Sequence, residues 1–495
     1  MRVLVELRPA LDGHAGIPQE TRLLFRTLAT LTDIHVEGLI QSSNKVLPLP
    51  AVAGPDAATG TVIDAQSRVV VALQQHDKLG RLEWLGQILQ RLAAPGAMLL
   101  KTLLGGRTRL GHFNAKHFAD FVWRAFFAKS LPPADKALVT SLPMVVVRVP
   151  WVAMHLGGLL TRRLGHAVYP RLDTRGVQAL VVETPFPGRV CRGTQLVVRY
   201  HDAIPLLMPH TISKRRYHQA SHYQALRRNV RDGAWFACVS DATRRDLVTV
   251  FPQVADRAVV IPNMVSHHFF NESSDASRVP EIVWTRRNRS ASQAGGAAIP
   301  ETDLQAGRLD YLLVVSTIEP RKNHLTVIEA WERLRTEKHA RLNLVFVGSL
   351  GWDHAAISRR MTPWLERGGL HLLEEVPSDD LRLLYRHARA TVCPSYYEGF
   401  DFAGVEAMAS GGVVLASDIA VHREVYDDAA LYFDPYDSRS LMRVVDELED
   451  NSEGSPPRAR LMHTGAVVSA RYKPEVIAPQ WAAFLARFDA AGRRS

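Results

Sequence analysis

Residues Ser395 to Gly412 read SYYEGFDFAGVEAMASGG, and this stretch is the most informative part of the chain. The apolar residues just upstream, Ala390 to Cys393, predict the end of a buried strand. A short loop follows, and a helix is predicted to begin near Phe402. Strand, short loop and helix in this order are typical of an open α/β sheet, which binds its ligand outside the carboxyl ends of its strands.

Two carboxylates, Glu398 and Glu406, stand in this stretch with seven residues between them. The predicted helix start near Phe402 aims unpaired backbone N–H groups and a positive dipole end at the same place, which suits a phosphate. Two acids beside a phosphate would not bind it themselves, and are better suited to the hydroxyls of a sugar or ribose. The stretch therefore indicates an enzyme that handles a phosphorylated sugar.

The composition is that of a large soluble globular protein. The 495 residues are 46% hydrophobic and 22% charged, which is enough chain for more than one domain. The three cysteines are scattered and contain no CxxC pair, so they predict neither disulfides nor a zinc site and fit a reducing compartment. The opening residues MRVLVEL are charged too early for a signal peptide and predict a first strand.

The net charge of +10 is concentrated in one region. Residues 81–163 carry twelve Lys and Arg against three acids, a net of nine, so the rest of the chain is nearly neutral. Such a basic block can indicate nucleic acid or anionic lipid. It contains no recognisable nucleic-acid-reading module, which disfavours the first.

The apolar residues of the block favour a membrane surface. Within HFADFVWRAFFAKS, five of them recur at helical spacing: Phe118, Phe121, Val122, Ala125 and Phe126. A basic, aromatic amphipathic helix is typical of binding to an anionic membrane surface. The alternative is that it packs on the N-terminal domain. Residues 144–160 are also apolar, but Arg148, Pro150 and His155 make a membrane span a poor prediction, so we expect them to be interfacial or buried.

Short apolar runs separated by helical patterns predict two parallel doubly wound sheets of the Rossmann-like α/β class. We expect an N-terminal domain over 1–270, with the basic amphipathic insertion at about 75–165. The polar residues 271–309 predict a linker or mobile loop. A C-terminal domain over 310–470 and a closing helix and tail over 471–495 complete the prediction.

Three further motifs carry polar groups to predicted strand ends. In VVSTIEPRKNHLTVIEAW, Lys322 follows a strand and could neutralise a diphosphate, although a lone lysine there could equally be a solvated surface residue. In VVRYHDAIPLLMP, His201 and Asp202 follow a buried strand, and His201 could serve a sugar hydroxyl or act as an acid or base. The turn DGHAGIP, at residues 12–18, could bring backbone N–H groups close to a ligand, although it is not a GxGxxG motif.

In combination these motifs resemble the retaining GT-B glycosyltransferases of group 1, the family 4 class. The chain order matches throughout: a glycine turn, HDAIPLLMP, CVSDATRRDL and VIPN, then STIEPRKN, VFVGSLGW, VPSDDLRLLYRHA, EGFDFAGVEAMASGG and SDIAVHREV. The resemblance implies the GT-B fold, in which two Rossmann-like doubly wound domains face a cleft. The acceptor would bind mainly the N-terminal domain and the nucleotide-sugar donor the C-terminal domain.

The resemblance also implies roles for individual residues. His201, Glu398 and Lys322 would be catalytic, with His201 at the reacting sugar and Lys322, less strongly Arg321, neutralising the leaving diphosphate. Glu398 would contact sugar hydroxyls and Glu406 the ribose. The remaining donor-binding residues would be Gly16 near the diphosphate, Gly399, Phe400, Asp401 and Phe402 near sugar and phosphate, and Gly348 and Val376 beside the base. The chain departs from the family pattern at Pro18, Gln19, Asp401, Ala403 and Gly404.

The predicted function is retaining, metal-independent transfer of a hexose from a nucleoside diphosphate sugar, without a cofactor. The acceptor would be a glycan or lipid-linked saccharide in surface polysaccharide synthesis, at the cytoplasmic face of the cell membrane. The style of STIEPRKN points to a mannosyltransferase using GDP-mannose, while UDP-hexose donors stay open. The alternatives are a GT-B nucleotide-sugar epimerase and a non-catalytic glycan- or membrane-binding scaffold.

Overall fold

The computed structural model of the protein describes residues 1–14, 16–49, 59–74, 93–212, 215–287, 309–449 and 457–492. The described strands form two large sheets and one short pair. The first large sheet belongs to the N-terminal part of the chain and the second to the C-terminal part.

The N-terminal sheet has the strand order β10-β9-β8-β7-β1-β2-β5-β4. All of its neighbours are parallel except β4 and β5, which are antiparallel. Its strands are β1 Arg2–Glu6, β2 His35–Ile40, β4 Leu110–Asn114, β5 Pro143–Val147, β7 Ala179–Val182, β8 Gln195–Tyr200, β9 Trp235–Cys238 and β10 Ala258–Val260. The short pair is β3 Arg107–Thr108 with β6 Arg171–Leu172.

The C-terminal sheet is parallel throughout, in the order β13-β12-β11-β14-β15-β16. Its strands are β11 Tyr311–Val315, β12 Asn343–Val347, β13 Leu370–Leu373, β14 Ala390–Cys393, β15 Val414–Ser417 and β16 Ala430–Phe433. This is the strand order of a doubly wound nucleotide-binding fold.

Helices cover both faces of each sheet. Their bounds in the N-terminal part are Ile17–Ala29, Thr59–Gln74, 93–103, Ala119–Val122, Lys136–Ser141, Trp151–Thr161, Ile204–Leu207, Arg215–Arg231 and Asp241–Val250. Those in the C-terminal part are Arg278–Arg286, His324–Glu337, Ala355–Arg367, Ser378–His387, Phe402–Ala409, Ala420–Tyr426, Ser438–Glu447, Pro457–Ala470 and Pro474–Gly492.

The apolar strands are explained by burial on both faces. In β1, Val3 and Val5 point into one core cluster while Leu4 points into the cluster on the opposite face. In β11, Leu313 points into one core cluster and its neighbour Leu312 points into the cluster on the opposite face. A parallel sheet covered by helices needs this near-continuous run of apolar residues, which is why the strands were predictable from the sequence.

The last helix, Pro474–Gly492, returns from the C-terminal part of the chain to the N-terminal domain. Ile477, Trp481 and Phe484 are buried in the same core cluster as β1 and the helix Ile17–Ala29. The aromatic ring of Trp235 packs edge-on against Phe484, with the ring centroids 5.9 Å apart. The helix therefore joins the C-terminal end of the chain to the core of the N-terminal domain.

Two predictions about individual segments are wrong. The linker predicted over 271–309 contains a helix, Arg278–Arg286, whose residues Val279, Ile282 and Val283 are buried in the C-terminal core. Residues 288–308 lie outside the described part of the chain. The helix was missed because its three apolar residues stand among serines and arginines that dominate the composition.

The apolar face of the basic insertion packs against the core of the N-terminal domain. Residues 110–127 form β4, a 3-10 turn, a short α-helix and a π-helical turn rather than one amphipathic helix. Val122 and Phe126 are fully buried in the N-terminal core, with Phe118 and Phe121 packed against it. The prediction that this face meets a membrane is therefore wrong, and the alternative of packing on the domain is confirmed.

Residues 144–160 are mostly buried, which was one of the two predicted possibilities, although Arg148 and Leu160 are exposed. They form β5 and the helix Trp151–Thr161, in which Met154 and His155 are buried. Within the described ranges, no helix combines the length and apolar character that crossing a membrane requires. Residues 75–92 of the insertion lie outside those ranges.

Candidate nucleotide-sugar site

The two domains meet at a cleft of about 320 Å³ that both of them line. Its C-terminal wall is built at the point where the order of the C-terminal sheet reverses, between β11 and β14. The loop after β11 supplies Lys322 and the loop after β14 supplies Glu398. Ligands of open α/β sheets bind at such switch points, so the predicted groups lie where the fold favours a ligand.

The predicted catalytic lysine and glutamate form an ion pair in this wall. Lys322 Nζ lies 2.6 Å from Glu398 Oε1, and Arg321 Nη1 lies 2.8 Å from the same oxygen. Burial raises the pKa of Glu398, but the charges of Arg321 and Lys322 outweigh it and leave the pKa below its usual range. Glu398 is therefore ionised, and Arg321 and Lys322 neutralise its charge. Of these two cations, Lys322 lies at the carboxyl ends of the strands.

Arg321 also holds the loop in place. Its Nη1 donates to the carbonyl of Tyr397 at 2.7 Å, and its Nη2 donates to Glu319 at 2.9 Å. The next residue but one, Asn323, has φ 56° and donates to the carbonyls of Pro394 and Pro435. The two switch-point loops are thus fixed to each other by side chains of the PRKN sequence, and Lys322 is less constrained than Arg321.

Glu406, the predicted ribose ligand, is held from both domains. Its Oε1 accepts a hydrogen bond of 2.9 Å from Gln19 of the N-terminal domain, and its Oε2 accepts one of 3.1 Å from Tyr385. Burial, together with the charge of Asp401, raises the pKa of Glu406 to about 7 despite these two bonds. The acid therefore lies in the cleft with both oxygens occupied by protein groups.

Asp401 caps the helix Phe402–Ala409 and sits in a strained backbone conformation, with φ 64°. Its Oδ1 accepts from the N–H of Ala403 at 3.3 Å, and its Oδ2 lies 3.2 Å from Nε2 of the buried His422. Burial raises the pKa of Asp401, but His422 and Lys322 outweigh it and lower the pKa well below its usual range.

Gly399 is required by a close approach of the two domains. A Cβ at this position would lie 1.7 Å from the backbone oxygen of His201. Thr243 bridges the same place, with its hydroxyl 3.4 Å from the Gly399 carbonyl and 3.5 Å from that of His201. Only glycine allows the loop carrying Glu398 to touch the strand end carrying His201, which brings the two walls together.

The N-terminal wall contributes Gly16, Gln19 and His201. Gly16 precedes the helix Ile17–Ala29 as its N-cap, with φ 70°. His201 is 10% exposed, and its Nε2 lies 3.1 Å from Oε2 of the fully buried Glu183. Burial and the nearby charge of Arg199 lower the pKa of His201 to about 4, so this histidine is neutral at physiological pH.

The buried Arg22 holds the glycine turn before the first helix in place. Its guanidinium donates hydrogen bonds of 2.7–2.8 Å to four carbonyls and one hydroxyl, those of Ala10, Asp12, Gly13, Phe126 and Ser130. Desolvation of the charge lowers the pKa of Arg22 to about 10. The segment that carries Phe126 therefore supports the cleft from within the domain.

The structure brings most of the predicted residues together and leaves two aside. Ten of them line the cleft: Gly16, His201, Arg321, Lys322, Glu398, Gly399, Phe400, Asp401, Phe402 and Glu406. Gly348 and Val376 follow β12 and β13 at the same edge of the sheet but are not among the described residues that line it. Gly348 instead allows a close backbone contact, since its Cβ would lie 2.2 Å from the Ser316 oxygen.

Three residues with direct contacts in the site were missed. Glu183 follows β7 as His201 follows the neighbouring β8, and this shared position at adjacent strand ends is a signal that could have found it. Gln19 and Tyr385, which bind Glu406, come from a different domain and a distant helix, so no local pattern points to them. Among the residues described, no group of three or more His, Cys, Asp or Glu lies together as metal ligands do.

Comparison with known proteins agrees with this architecture. The structure is similar over 99% of both chains to sucrose-phosphate synthase from Thermosynechococcus elongatus, with a TM-score of 0.58 at 15% identity. It is also similar to HepE from Anabaena in complex with UDP-glucose, over 98% of this chain and 100% of that one, with a TM-score of 0.54 at 12% identity. The protein has the GT-B glycosyltransferase fold.

Sequence comparison identifies a domain in the C-terminal half of the chain. Residues 300–465 match the family model for glycosyl transferases group 1. O-antigen chain mannosyltransferase B of Escherichia coli is 29% identical over 260 residues, 52% of this chain and 62% of that protein. O-antigen chain mannosyltransferase RfbU of Salmonella typhimurium is 34% identical over 141 residues, 28% of this chain and 38% of that protein. The match thus spans less than two thirds of either relative, and the C-terminal half of this chain carries a group 1 glycosyltransferase domain.

Proposed function

We propose that the protein transfers a hexose, most directly mannose from GDP-mannose, to a hydroxyl of a glycan or lipid-linked saccharide in surface polysaccharide synthesis. The bond between the anomeric carbon and the diphosphate breaks, a bond to the acceptor oxygen forms with retention, and the proton of the acceptor hydroxyl passes to the leaving diphosphate. The C-terminal wall binds the donor, and the N-terminal wall receives the acceptor.

The observation that carries this proposal is the convergence of five groups on one cleft. Lys322 and the start of the helix Phe402–Ala409 present positive charge to a diphosphate, while Glu398 and Glu406 present carboxylates to hydroxyls. His201 approaches from the opposite wall. Because a lysine and a helix end supply the positive charge, the proposed reaction runs without a metal ion.

Mannose is favoured over other hexoses by the relatives. Both of the bacterial proteins compared above are described as O-antigen chain mannosyltransferases. The STIEPRKN motif agrees with the same donor. UDP-hexose donors are the second candidate, since HepE, which shares the fold, binds UDP-glucose.

The test is product analysis with radiolabelled GDP-mannose and a panel of UDP-hexoses, each with and without a mannose-terminated saccharide acceptor. We expect label in the saccharide only when GDP-mannose and acceptor are both present, with the α-linkage that retention requires. An isomerised nucleotide sugar formed without acceptor would indicate the epimerase alternative. Absence of both products and of any nucleotide-sugar binding would indicate a scaffold and contradict the proposal.

We also propose that the enzyme works on an anionic membrane surface through a region other than residues 113–129. Four leucines in two packed segments are strongly exposed: Leu100, Leu103, Leu104 and Leu160, at 62%, 71%, 79% and 64%. The segments meet at Gly157, whose Cβ would lie 2.3 Å from Met98. The cations on the same segments, Lys101, Arg107, Arg162 and Arg163, are also exposed and would attract anionic lipid.

Cosedimentation with vesicles tests this surface. We expect wild-type protein to sediment with phosphatidylglycerol vesicles more than with phosphatidylcholine vesicles, and the double variant Leu103→Ser, Leu104→Ser to lose most of that binding. Val467→Ser, which changes an exposed apolar residue of the C-terminal domain, is the control. Equal sedimentation of the double variant and wild type would exclude this region.

A further inference from the structure

Three neighbouring strands of the N-terminal sheet end in ionisable residues beneath the cleft. Glu6 is the last residue of β1, Glu183 directly follows β7, and His201 directly follows β8. The order β8-β7-β1 makes these strands adjacent and parallel, so their carboxyl ends meet at one edge. The three side chains are therefore placed together by topology rather than by a local sequence motif.

Their contacts form a short chain that leads into the cleft. Arg8 Nε donates to Glu6 Oε1 at 2.7 Å, and Glu6 Oε2 accepts the backbone N–H of Glu183 at 3.0 Å. Glu183 Oε2 in turn lies 3.1 Å from Nε2 of His201. Glu183 Oε1 has no hydrogen-bond partner among the described residues. His201 is the member of the chain that lines the cleft.

Burial and the neighbouring Glu6 disfavour the ionised form of Glu183. The Glu183 side chain is fully buried, and the carboxylate nearest to it belongs to Glu6. The two arginines in the neighbourhood have their own acids, since Arg8 pairs with Glu6 and Arg199 pairs with Glu20 at 2.9 Å. Burial raises the pKa of Glu183 to about 8 and Glu6 adds to the shift, although the charges of Arg199 and Arg8 oppose it. No cation hydrogen-bonds to Glu183 in the described structure.

We propose that Glu183 is a positioning residue, a protonated carboxylic acid that donates its hydrogen bond to Nε2 of His201 and so keeps the imidazole proton on Nδ1. The inference rests on the proposed function. Because Nε2 is occupied by Glu183 and Nδ1 has no hydrogen-bond partner among the described residues, Nδ1–H is the group left to donate to a hydroxyl oxygen of the transferred sugar. The histidine then serves as a neutral donor with a fixed orientation.

The arrangement differs from one in which an ionised carboxylate orients a histidine. An ionised Glu183 would accept a hydrogen bond from Nε2–H and leave Nδ1 as an acceptor, with the opposite polarity toward the sugar. The tautomer of His201 distinguishes the two arrangements, and replacing the carboxyl group with a carboxamide tests whether the negative charge is needed. A carboxamide can donate the same hydrogen bond as a carboxylic acid, but it cannot carry the negative charge.

The experiment compares Glu183→Gln with Glu183→Ala. Glu183→Gln should keep kcat within about threefold of wild type, because its N–H replaces the acid proton. Glu183→Ala should lower kcat roughly tenfold, the effect of a hydrogen bond of about 1.4 kcal/mol that is no longer oriented. Nucleotide affinity should stay unchanged in both variants, since the nucleotide contacts lie on the C-terminal wall. Equal losses in both variants would overturn the proposal.

The nitrogen chemical shifts of His201 give a readout that does not depend on activity or on the alanine variant folding. In wild type and Glu183→Gln we expect the shifts of the neutral tautomer protonated at Nδ1, assigned by comparison with His201→Asn. A tautomer protonated at Nε2 would contradict the inference. If wild type transfers no sugar but shows the Nδ1–H tautomer, the proposed function fails while the assigned protonation of the pair holds.

Discussion

The two walls of the cleft are built from different kinds of group. On the C-terminal wall, Lys322, Arg321 and Glu398 are charged and neutralise one another at 2.6–2.8 Å. On the N-terminal wall, His201 and Glu183 are neutral because burial shifts the pKa of the histidine down to about 4 and that of the acid up to about 8. One wall therefore supplies charge, and the other supplies hydrogen bonds of fixed polarity.

The comparison explains the division of work in the proposed reaction. The diphosphate of the donor carries two negative charges and gains a third as it leaves, so it needs cations that are already in place. On the C-terminal wall, Glu398 holds Arg321 and Lys322 in position. A sugar hydroxyl is neutral and is best held by a neutral donor. The walls touch through the hydrogen bond between Gln19 and Glu406, so in the proposed reaction a donor that binds the acid would have to separate these two side chains.

The largest effect is expected from Lys322→Ala on the charged wall. Removing the ammonium should lower kcat about 100- to 1,000-fold, because a preorganised charge at the leaving group is lost. Initial rates of mannose transfer at saturating donor measure it. The control is Lys338→Ala, an exposed lysine of the same domain that pairs with Asp446 at 2.7 Å. A kcat within twofold of wild type would remove Lys322 from the reaction.

A smaller effect is expected from Glu406→Ala. The variant should bind GDP-mannose about 10- to 100-fold more weakly, which is the range for hydrogen bonds to a charged group worth about 1.5–3 kcal/mol. Isothermal titration calorimetry measures the affinity, and Glu337→Ala, an exposed acid, is the control. Unchanged affinity would show that the ribose does not meet this acid.

The pH dependence of donor binding tests the same acid without a mutation. Because the pKa of Glu406 is raised to about 7, the protonated form dominates below pH 7 and the ionised form above it. If the ribose hydroxyls donate to the ionised form, affinity for GDP-mannose should rise about tenfold from pH 6 to pH 8 and then level off. The nucleotide sugar has no group that titrates in this range. A flat profile, or a falling one, would contradict the assignment.

The smallest effect is expected from Gln19→Ala, and its sign is the informative part. Removing the amide that occupies Glu406 should strengthen donor binding roughly twofold to tenfold, since one competing hydrogen bond no longer has to be broken. Calorimetry on the same ligand measures it. Weaker binding would mean that Gln19 itself contacts the donor rather than standing in its place.

Much of the C-terminal wall could be predicted from the sequence because its information is local. Strands buried on both faces leave continuous apolar runs, and Lys322, Glu398 and Glu406 lie within a few residues of those runs. Gln19 and Tyr385 could not be predicted as partners of Glu406, because their contact depends on how a distant helix and the other domain are placed. The residues of the charged C-terminal wall were therefore easier to predict from the sequence than those of the neutral N-terminal wall.

The errors have the same origin. The apolar face around Phe126 has the periodicity of an amphipathic segment, but periodicity does not specify whether lipid or protein covers that face. The carbonyl of Phe126 accepts from the buried Arg22, a long-range contact that sequence spacing does not reveal. In the same way, the polar residues around the helix Arg278–Arg286 concealed its apolar pattern in the sequence. The structure shows that these apolar residues pack in the C-terminal core.

The most direct test of the charged wall is a crystal structure of the protein with GDP-mannose bound. The account predicts the ribose hydroxyls on Glu406, the diphosphate between Lys322 and the start of the helix Phe402–Ala409, and Gln19 displaced from Glu406. A nucleotide bound elsewhere, or one bound in the cleft with the hydrogen bond between Gln19 and Glu406 intact, would contradict it.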